Sequence, residues 1–117
     1  MSNIFMLISA INPFLPFKSE SDAQAFLNGY GLADQCAFIS ALYIGRDHLH
    51  SNGLNHDYVN ANGTPIIPID RYHATGMSCE LIHQKNFARI LYEKNTILSN
   101  YYASFLKCIP HQYLITF

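Results

Sequence analysis

The sequence predicts an all-α or predominantly α fold, with four to five helices around one central buried helix. Three observations support this prediction. Apolar residues recur at helical spacing, capping residues precede several of those segments, and one segment is apolar on nearly every face. With 117 residues, of which 50% are hydrophobic, the chain has the size and composition of a single globular domain covering residues 1–117.

The apolar N-terminal segment predicts a short helix or strand from Ile4 to Ile11, followed by a rigid elbow at residues 13–16. A signal peptide is disfavoured, because Lys18 is the first basic residue and Pro13 and Pro16 interrupt the run. The same run is too short and too broken to span a bilayer.

A cluster of capping and acidic residues at 19–22 predicts the start of the next helix, which we expect to close at Asn28-Gly29. The central helix follows from Leu32 to Ile44, with polar side chains at few positions. Gly45 is expected to end it as a left-handed cap. We expect Arg46 to lie just beyond, where its cation meets the terminal carbonyl groups.

Helical periodicity disappears over a long irregular excursion from about residue 46 to residue 76. Turn residues punctuate it, including Asn-Gly pairs at 52–53 and 62–63. At most a short β-hairpin is expected there, pairing Asp57–Ala61 with Thr64–Ile67. Pro65 in the second arm would confine that hairpin to a sheet edge. Irregular segments of this length are functional or mobile.

Two further helices are predicted in the C-terminal part. The first runs from Ser78 to about Lys94, and the second starts at a cap on Asn95 or Thr96 and ends at Pro110. The tail from residue 111 to residue 117 is apolar enough to dock on the domain.

Two segments resemble a family of small bacterial helical domains of unknown function. The first is the helix end Ala41-Leu42-Tyr43-Ile44-Gly45-Arg46-Asp47, and the second is Ile90-Leu91-Tyr92 together with residues 98–106. The similarity covers about half of the chain. Where the family often continues with glycine after the arginine, this chain has Asp47. The resemblance implies a mostly helical fold and implies no activity.

Polar residues that could carry chemistry follow the central helix. His48, His50 and His56 with Asp57 or Asp47 are a legitimate donor set for zinc or another divalent ion, which would be the only cofactor. Their spacing matches no established metal motif, and a solvated histidine-rich loop is the preferred interpretation. No cofactor is therefore predicted, with a divalent metal as the alternative.

Three other features are candidates for binding or catalysis. Arg46 beside Asp47 could hold a carboxylate or phosphate, although a helix cap or an ion pair is the favoured role. Tyr101 and Tyr102 could form an aromatic wall for a ligand, but such a face is more often core. Cys79 near a helix start, and the Asp70–His73 group, lack a nucleophile motif that would define an active site.

These observations predict a non-enzymatic protein-binding or adaptor protein of bacterial or phage-related character, acting on a protein partner or by self-association as a homodimer. The alternatives are a metal-binding protein or small metal-assisted hydrolase using His48, His50 and His56, and a small-molecule sensor with an apolar pocket between the central and last helices. Seven scattered Lys and Arg residues against eight acids disfavour nucleic acid. Three widely spaced cysteines favour reduced thiols and a cytoplasmic location.

Overall fold

The computed structural model describes residues 2–76 and 82–117, and it confirms a predominantly α-helical fold. The tail contributes a one-turn helix, so the described residues contain more helices than the four to five expected. The helices are α1 (Ile4–Ile11), α2 (Glu20–Leu27), α3 (Leu32–Asp47), α4 (Phe87–Glu93), α5 (Leu98–Cys108) and α6 (His111–Leu114).

Side-chain caps fix the first two helices at their N-termini. Asn3 accepts a hydrogen bond from the Met6 amide at the start of α1, and Ser19 accepts one from the Asp22 amide at the start of α2. The sequence predicted a short helix or strand for Ile4–Ile11, and the structure contains a helix there. The C-terminal end of α2 is held by buried Gln35 of α3, whose Nε2 donates to the carbonyl oxygens of Leu27 and Tyr30. Caps and buried amide groups therefore satisfy backbone atoms that helix ends leave without partners.

Helix α3 is the central buried helix, and it packs against α5, α1 and α4. The expected stop at Gly45 is wrong, because the helix continues through Gly45 and Arg46 to Asp47. Gly45 is buried, and a Cβ atom built on it would lie 2.0 Å from the carbonyl oxygen of Tyr101 in α5. The glycine is there for close packing of two helix backbones, since only a residue without Cβ permits that approach.

The later helices are shorter than the sequence predicts. The expected helix start at Ser78 lies outside the described residues, and Ile82 and His83 are not helical. A 3-10 turn at Gln84–Asn86 precedes α4. The predicted cap at Asn95 or Thr96 is also wrong, because Ile97 is the N-cap of α5 and no side chain in the described part of the chain caps it. Asn95 instead bonds to the backbone of Phe17, accepting from its amide and donating to its carbonyl.

The irregular excursion begins after Asp47 and contains a 3-10 helix at His56–Tyr58 and a minimal hairpin. Val59 and Pro65 form one antiparallel bridge, and the Asn60 amide donates to the Thr64 carbonyl across the turn. Gly63 has a φ of +79°, a conformation that glycine adopts without strain. The predicted hairpin thus exists in its shortest form, and it places Tyr58 against the end of α3.

A buried ion pair joins the chain ends to α3. Arg71 lies 2.8 Å from the carboxylate of Asp34, and it also donates to the backbone oxygens of Ser2 and Phe117. Leu114 and Phe117 are buried, so the tail docks on the domain as expected. The Cα radius of gyration is 13.6 Å, close to the roughly 13 Å of a compact domain of about 100 residues. Among the described residues, no helix has the length and apolar character needed to cross a membrane.

Candidate functional site

A polar cleft of about 640 Å³ lies beside the C-terminal end of α3. We call it the α3 cleft. Its size is within the range of sites that hold a small ligand or part of a peptide. Helix α3 supplies one wall, the 3-10 helix and the hairpin supply the second, and the turn at 70–76 closes it. The lining residues are Tyr43, Arg46, Asp47, Asn55, Asp57, Tyr58, Ile67, His73, Ala74 and Ile82.

Buried His48 supports the cleft from behind. Its Nδ1 lies 2.7 Å from the Ile44 carbonyl oxygen, and its Nε2 accepts the Asn55 amide at 3.0 Å. A carbonyl can only accept, so Nδ1 carries the proton and the ring is neutral. The His48 ring also contacts Tyr58 edge-on, with 4.9 Å between ring centroids. His48 therefore links the end of α3 to the segment that carries Tyr58.

Asp47, Tyr58 and His73 form a chain of polar contacts along the cleft. The Tyr58 hydroxyl donates to Oδ2 of Asp47 at 2.8 Å, and His73 Nε2 lies 3.5 Å from that hydroxyl oxygen. His73 Nδ1 lies 2.9 Å from the carbonyl oxygen of Pro68. Asn55 donates from its side chain to the Asp47 carbonyl at 3.2 Å. Tyr58 thus holds the carboxylate of Asp47, and Asn55 holds its backbone carbonyl.

Arg46 forms the cationic edge of the cleft. Its guanidinium carbon lies 4.7 Å from the centroid of the Tyr43 ring, at a distance typical of a cation–π contact. Lys94 approaches the same ring at 5.7 Å. Nε of Arg46 is 3.9 Å from Oδ1 of Asp47, a distance that allows Coulomb attraction and is too long for a hydrogen bond. The favoured prediction for Arg46 was a helix cap or an ion pair. The ion pair with Asp47 is present at this long distance, whereas Arg46 is itself a helical residue stacked on Tyr43 and does not lie beyond the helix end.

The structure does not bring the three predicted imidazole ligands together. Both nitrogens of His48 are engaged in the interior, and His50 lies in the exposed turn after α3. The side chain of His56 is 91% exposed and pairs with Asp57 at 3.1 Å. Within residues 2–76 and 82–117, no three His, Cys, Asp or Glu side chains are grouped to hold a metal ion.

The two predicted aromatic binding residues lie on α5, away from the α3 cleft. Tyr102 is fully buried, and its hydroxyl donates to the Phe38 carbonyl at 2.9 Å. Burial raises the pKa of Tyr102, because the phenolate would be formed without water. Tyr101 is half-buried, and its backbone packs against Gly45. Tyr102 is therefore a core residue, which is the alternative that the sequence favoured for this pair. Cys79 lies outside the described residues.

Arg46, Asp47 and Asp57 line the cleft and were candidate residues in the sequence, whereas the sequence indicated no binding role for Tyr43 and Tyr58. Tyr43 sits three residues before Arg46, a spacing that places two helical side chains on one face once the helix is known to continue through Gly45. That signal was present in the sequence and was hidden by the assumed helix stop. The approach of Tyr58 to Asp47 is tertiary, and no local pattern indicates it.

Comparison of the chain with protein-family models, with curated proteins and with solved structures found no match in any of the three. No family model therefore supports the resemblance to small bacterial helical domains.

Proposed function

We propose that the protein is a non-enzymatic binding protein and that the α3 cleft holds a segment of a polypeptide partner. The observation that carries the proposal is the fixed position of Asp47 and Tyr58, which bond to each other and are supported by buried His48 and by Asn55. Side chains that are already ordered lose little conformational entropy when a partner binds.

The edges of the cleft have the chemistry of a protein interface. Arg and Tyr are enriched among residues that dominate binding energy, and here Arg46 lies on the face of Tyr43. Ile66, with 61% of its surface exposed, projects from the hairpin next to Ile67 of the cleft wall. A peptide could bury Ile66 while its polar groups meet Arg46 and Asp47. The combination favours a polypeptide partner.

The proposal also specifies the class of partner and the cellular location of the protein. The partner is a protein or a second copy of this chain, and not a nucleic acid, because seven Lys and Arg residues are outnumbered by eight acids. A cytoplasmic location is favoured by Cys36 and Cys108, which are buried free thiols.

Selection of random displayed peptides on the immobilised protein tests this function. The affinity of each selected peptide is then measured for the parent protein, Arg46→Ala and Arg89→Ala. Arg89 of α4 is a matched control, since its side chain is 54% exposed against 47% for Arg46, and its Nε lies 3.7 Å from Glu93. We expect Arg46→Ala to weaken binding by roughly tenfold or more, as for a central interface residue, and Arg89→Ala to leave it unchanged.

Two outcomes would contradict the proposal. Selected peptides that bind Arg46→Ala as tightly as the parent protein would place the interface elsewhere. Failure to select any peptide, combined with thermal stabilisation by members of a small-molecule library that Arg46→Ala abolishes, would make the cleft a metabolite site instead.

A further inference from the structure

A series of polar contacts leads from Pro68 through His73 and Tyr58 to Asp47. The atoms at each contact determine which group donates the hydrogen bond and which accepts it. The Pro68 carbonyl only accepts, so His73 Nδ1 carries a proton at their 2.9 Å contact. The Tyr58 hydroxyl has one hydrogen and donates it to Asp47 at 2.8 Å. Towards His73 the same oxygen can therefore only accept, over a distance of 3.5 Å. The contact is a hydrogen bond only when Nε2 of His73 is also protonated.

We propose that protonation of His73 completes this series of contacts and prepares the α3 cleft for an acidic segment of its partner. Neutral His73 presents a lone pair to the Tyr58 oxygen. The imidazolium instead donates a hydrogen bond to that oxygen, and the Tyr58 hydroxyl donates in turn to the Asp47 carboxylate. The inference rests on the proposed function, and it names the class of partner and the regulation of that same cleft.

The charges around the cleft explain why the partner group is acidic. The imidazolium of His73 offsets the charge of Asp47, and Asp57 is paired with exposed His56. Arg46 then remains as a cation whose contact with Asp47 is a long one. Among the side chains of an unmodified peptide, a carboxylate is the group that a guanidinium binds with paired hydrogen bonds.

Other titratable groups surround His73 in the described structure. Arg46 and Asp47 of α3 line the same cleft. Asp57 and Tyr58 face His73 from the 3-10 helix at 56–58. Asp70 and Tyr72 belong to the turn that carries His73. Acids outnumber cations in this set, so the imidazolium of His73 has more negative than positive groups around it. Binding of an acidic segment should strengthen as the pH falls through the range in which imidazole titrates.

A pair of synthetic peptides tests the proposal. One is a glutamate-containing peptide selected on the parent protein, and the other carries glutamine at the glutamate positions. We expect the glutamate peptide to bind several-fold more tightly at about pH 5.5 than at about pH 8. His73→Gln should lose that pH dependence, because the amide stays neutral and can still donate to Tyr58. His56→Gln should retain it, since His56 bonds to Asp57 and not to Tyr58. Equal affinity at the two pH values, or a pH dependence that His73→Gln retains, would overturn the inference.

A second measurement needs no partner. In spectra of the protein labelled with ¹⁵N-histidine below about pH 6, we expect protons on both ring nitrogens of His73. The Nε2 proton should exchange with water more slowly than that of His56, and Tyr58→Phe should abolish the difference. Exchange as fast as that of His56 would contradict the hydrogen bonds from His73 through Tyr58 to Asp47, even if peptides bind. Slow exchange without any peptide binding would contradict the proposed function and its acidic partner, while supporting those hydrogen bonds.

Discussion

Gly45 determines how closely α3 and α5 can approach. A Cβ atom at this position would lie 2.0 Å from the Tyr101 carbonyl oxygen and 2.7 Å from the carbonyl carbon. Both atoms belong to the backbone of α5, so they cannot rotate away as a flexible side chain would. Tyr102, next along α5, is fully buried and donates to the Phe38 carbonyl of α3, which fixes the same pair of helices.

Gly45→Ala should destabilise the protein even though alanine is the better helix former. The helix-propensity gain is up to about 1 kcal/mol, and the overpacking cost is about 1–3 kcal/mol or more, because a backbone must shift. Chemical denaturation would measure the net loss. Gly53→Ala is the control, since a Cβ there meets no atom of residues 2–76 and 82–117 within 4 Å. A Gly45→Ala protein as stable as its parent would show that α5 can move without cost.

The contrast between Gly45 and His48 shows what single residues reveal in a sequence. Glycine after an apolar helix is a common stop signal, and only the position of Tyr101 shows that it serves packing instead. His48 occurs among other polar residues, so the sequence favoured a solvated loop position for it, with metal binding as the alternative. Its burial carries no penalty of unpaired polar atoms, because the Ile44 carbonyl and the Asn55 amide satisfy both of its nitrogens. Neither partner can be identified without the fold.

At the scale of elements, the hairpin sets the position of the second wall of the cleft. The Ile66 amide donates to the Tyr58 carbonyl at 2.8 Å, so the hairpin and the 3-10 helix are joined by the backbone. Its turn was predictable, because Asn62-Gly63 supplies a residue that tolerates positive φ. The start of α2 was equally predictable, since Ser19 is a local cap. The single bridge at Val59 and Pro65 was less so, because proline limits further pairing.

Gly63→Ala should weaken the hairpin by about 1–2 kcal/mol, because φ of +79° brings Cβ against the backbone. Hydrogen exchange of the Ile66 amide measures this loss directly, since that amide is bonded across the hairpin. Affinity for a selected peptide should fall with it if the hairpin wall binds the partner. Gly53→Ala lies in the same excursion and has no positive φ, so it should change neither quantity. Unchanged Ile66 protection in Gly63→Ala would show that the hairpin is not held by its turn.

At the scale of the whole molecule, Arg71 connects segments that are distant in the sequence. The side chains of Arg71 and Asp34 are 6% and 14% exposed, and Asp34 also accepts a hydrogen bond from the Ser2 amide. The backbone oxygens of Phe117 and Ser2 accept hydrogen bonds from Nε and Nη2 of Arg71. The irregular excursion is therefore anchored through Arg71 to α3 and to both terminal segments. Nothing local in the sequence distinguishes this arginine from Arg46 or Arg89, which are exposed.

Arg71→Met should destabilise the molecule by roughly 3–5 kcal/mol, because it leaves the Asp34 carboxylate enclosed without a counter-charge. Adding Asp34→Leu should restore part of that loss, since the double variant has no unpaired buried charge. Equilibrium denaturation of the parent, the two single variants and the double variant gives the coupling energy. Arg89→Met is the exposed control and should cost little, because surface ion pairs contribute little. A double variant less stable than both single variants would mean that the surrounding backbone oxygens, and not Asp34, depend on Arg71.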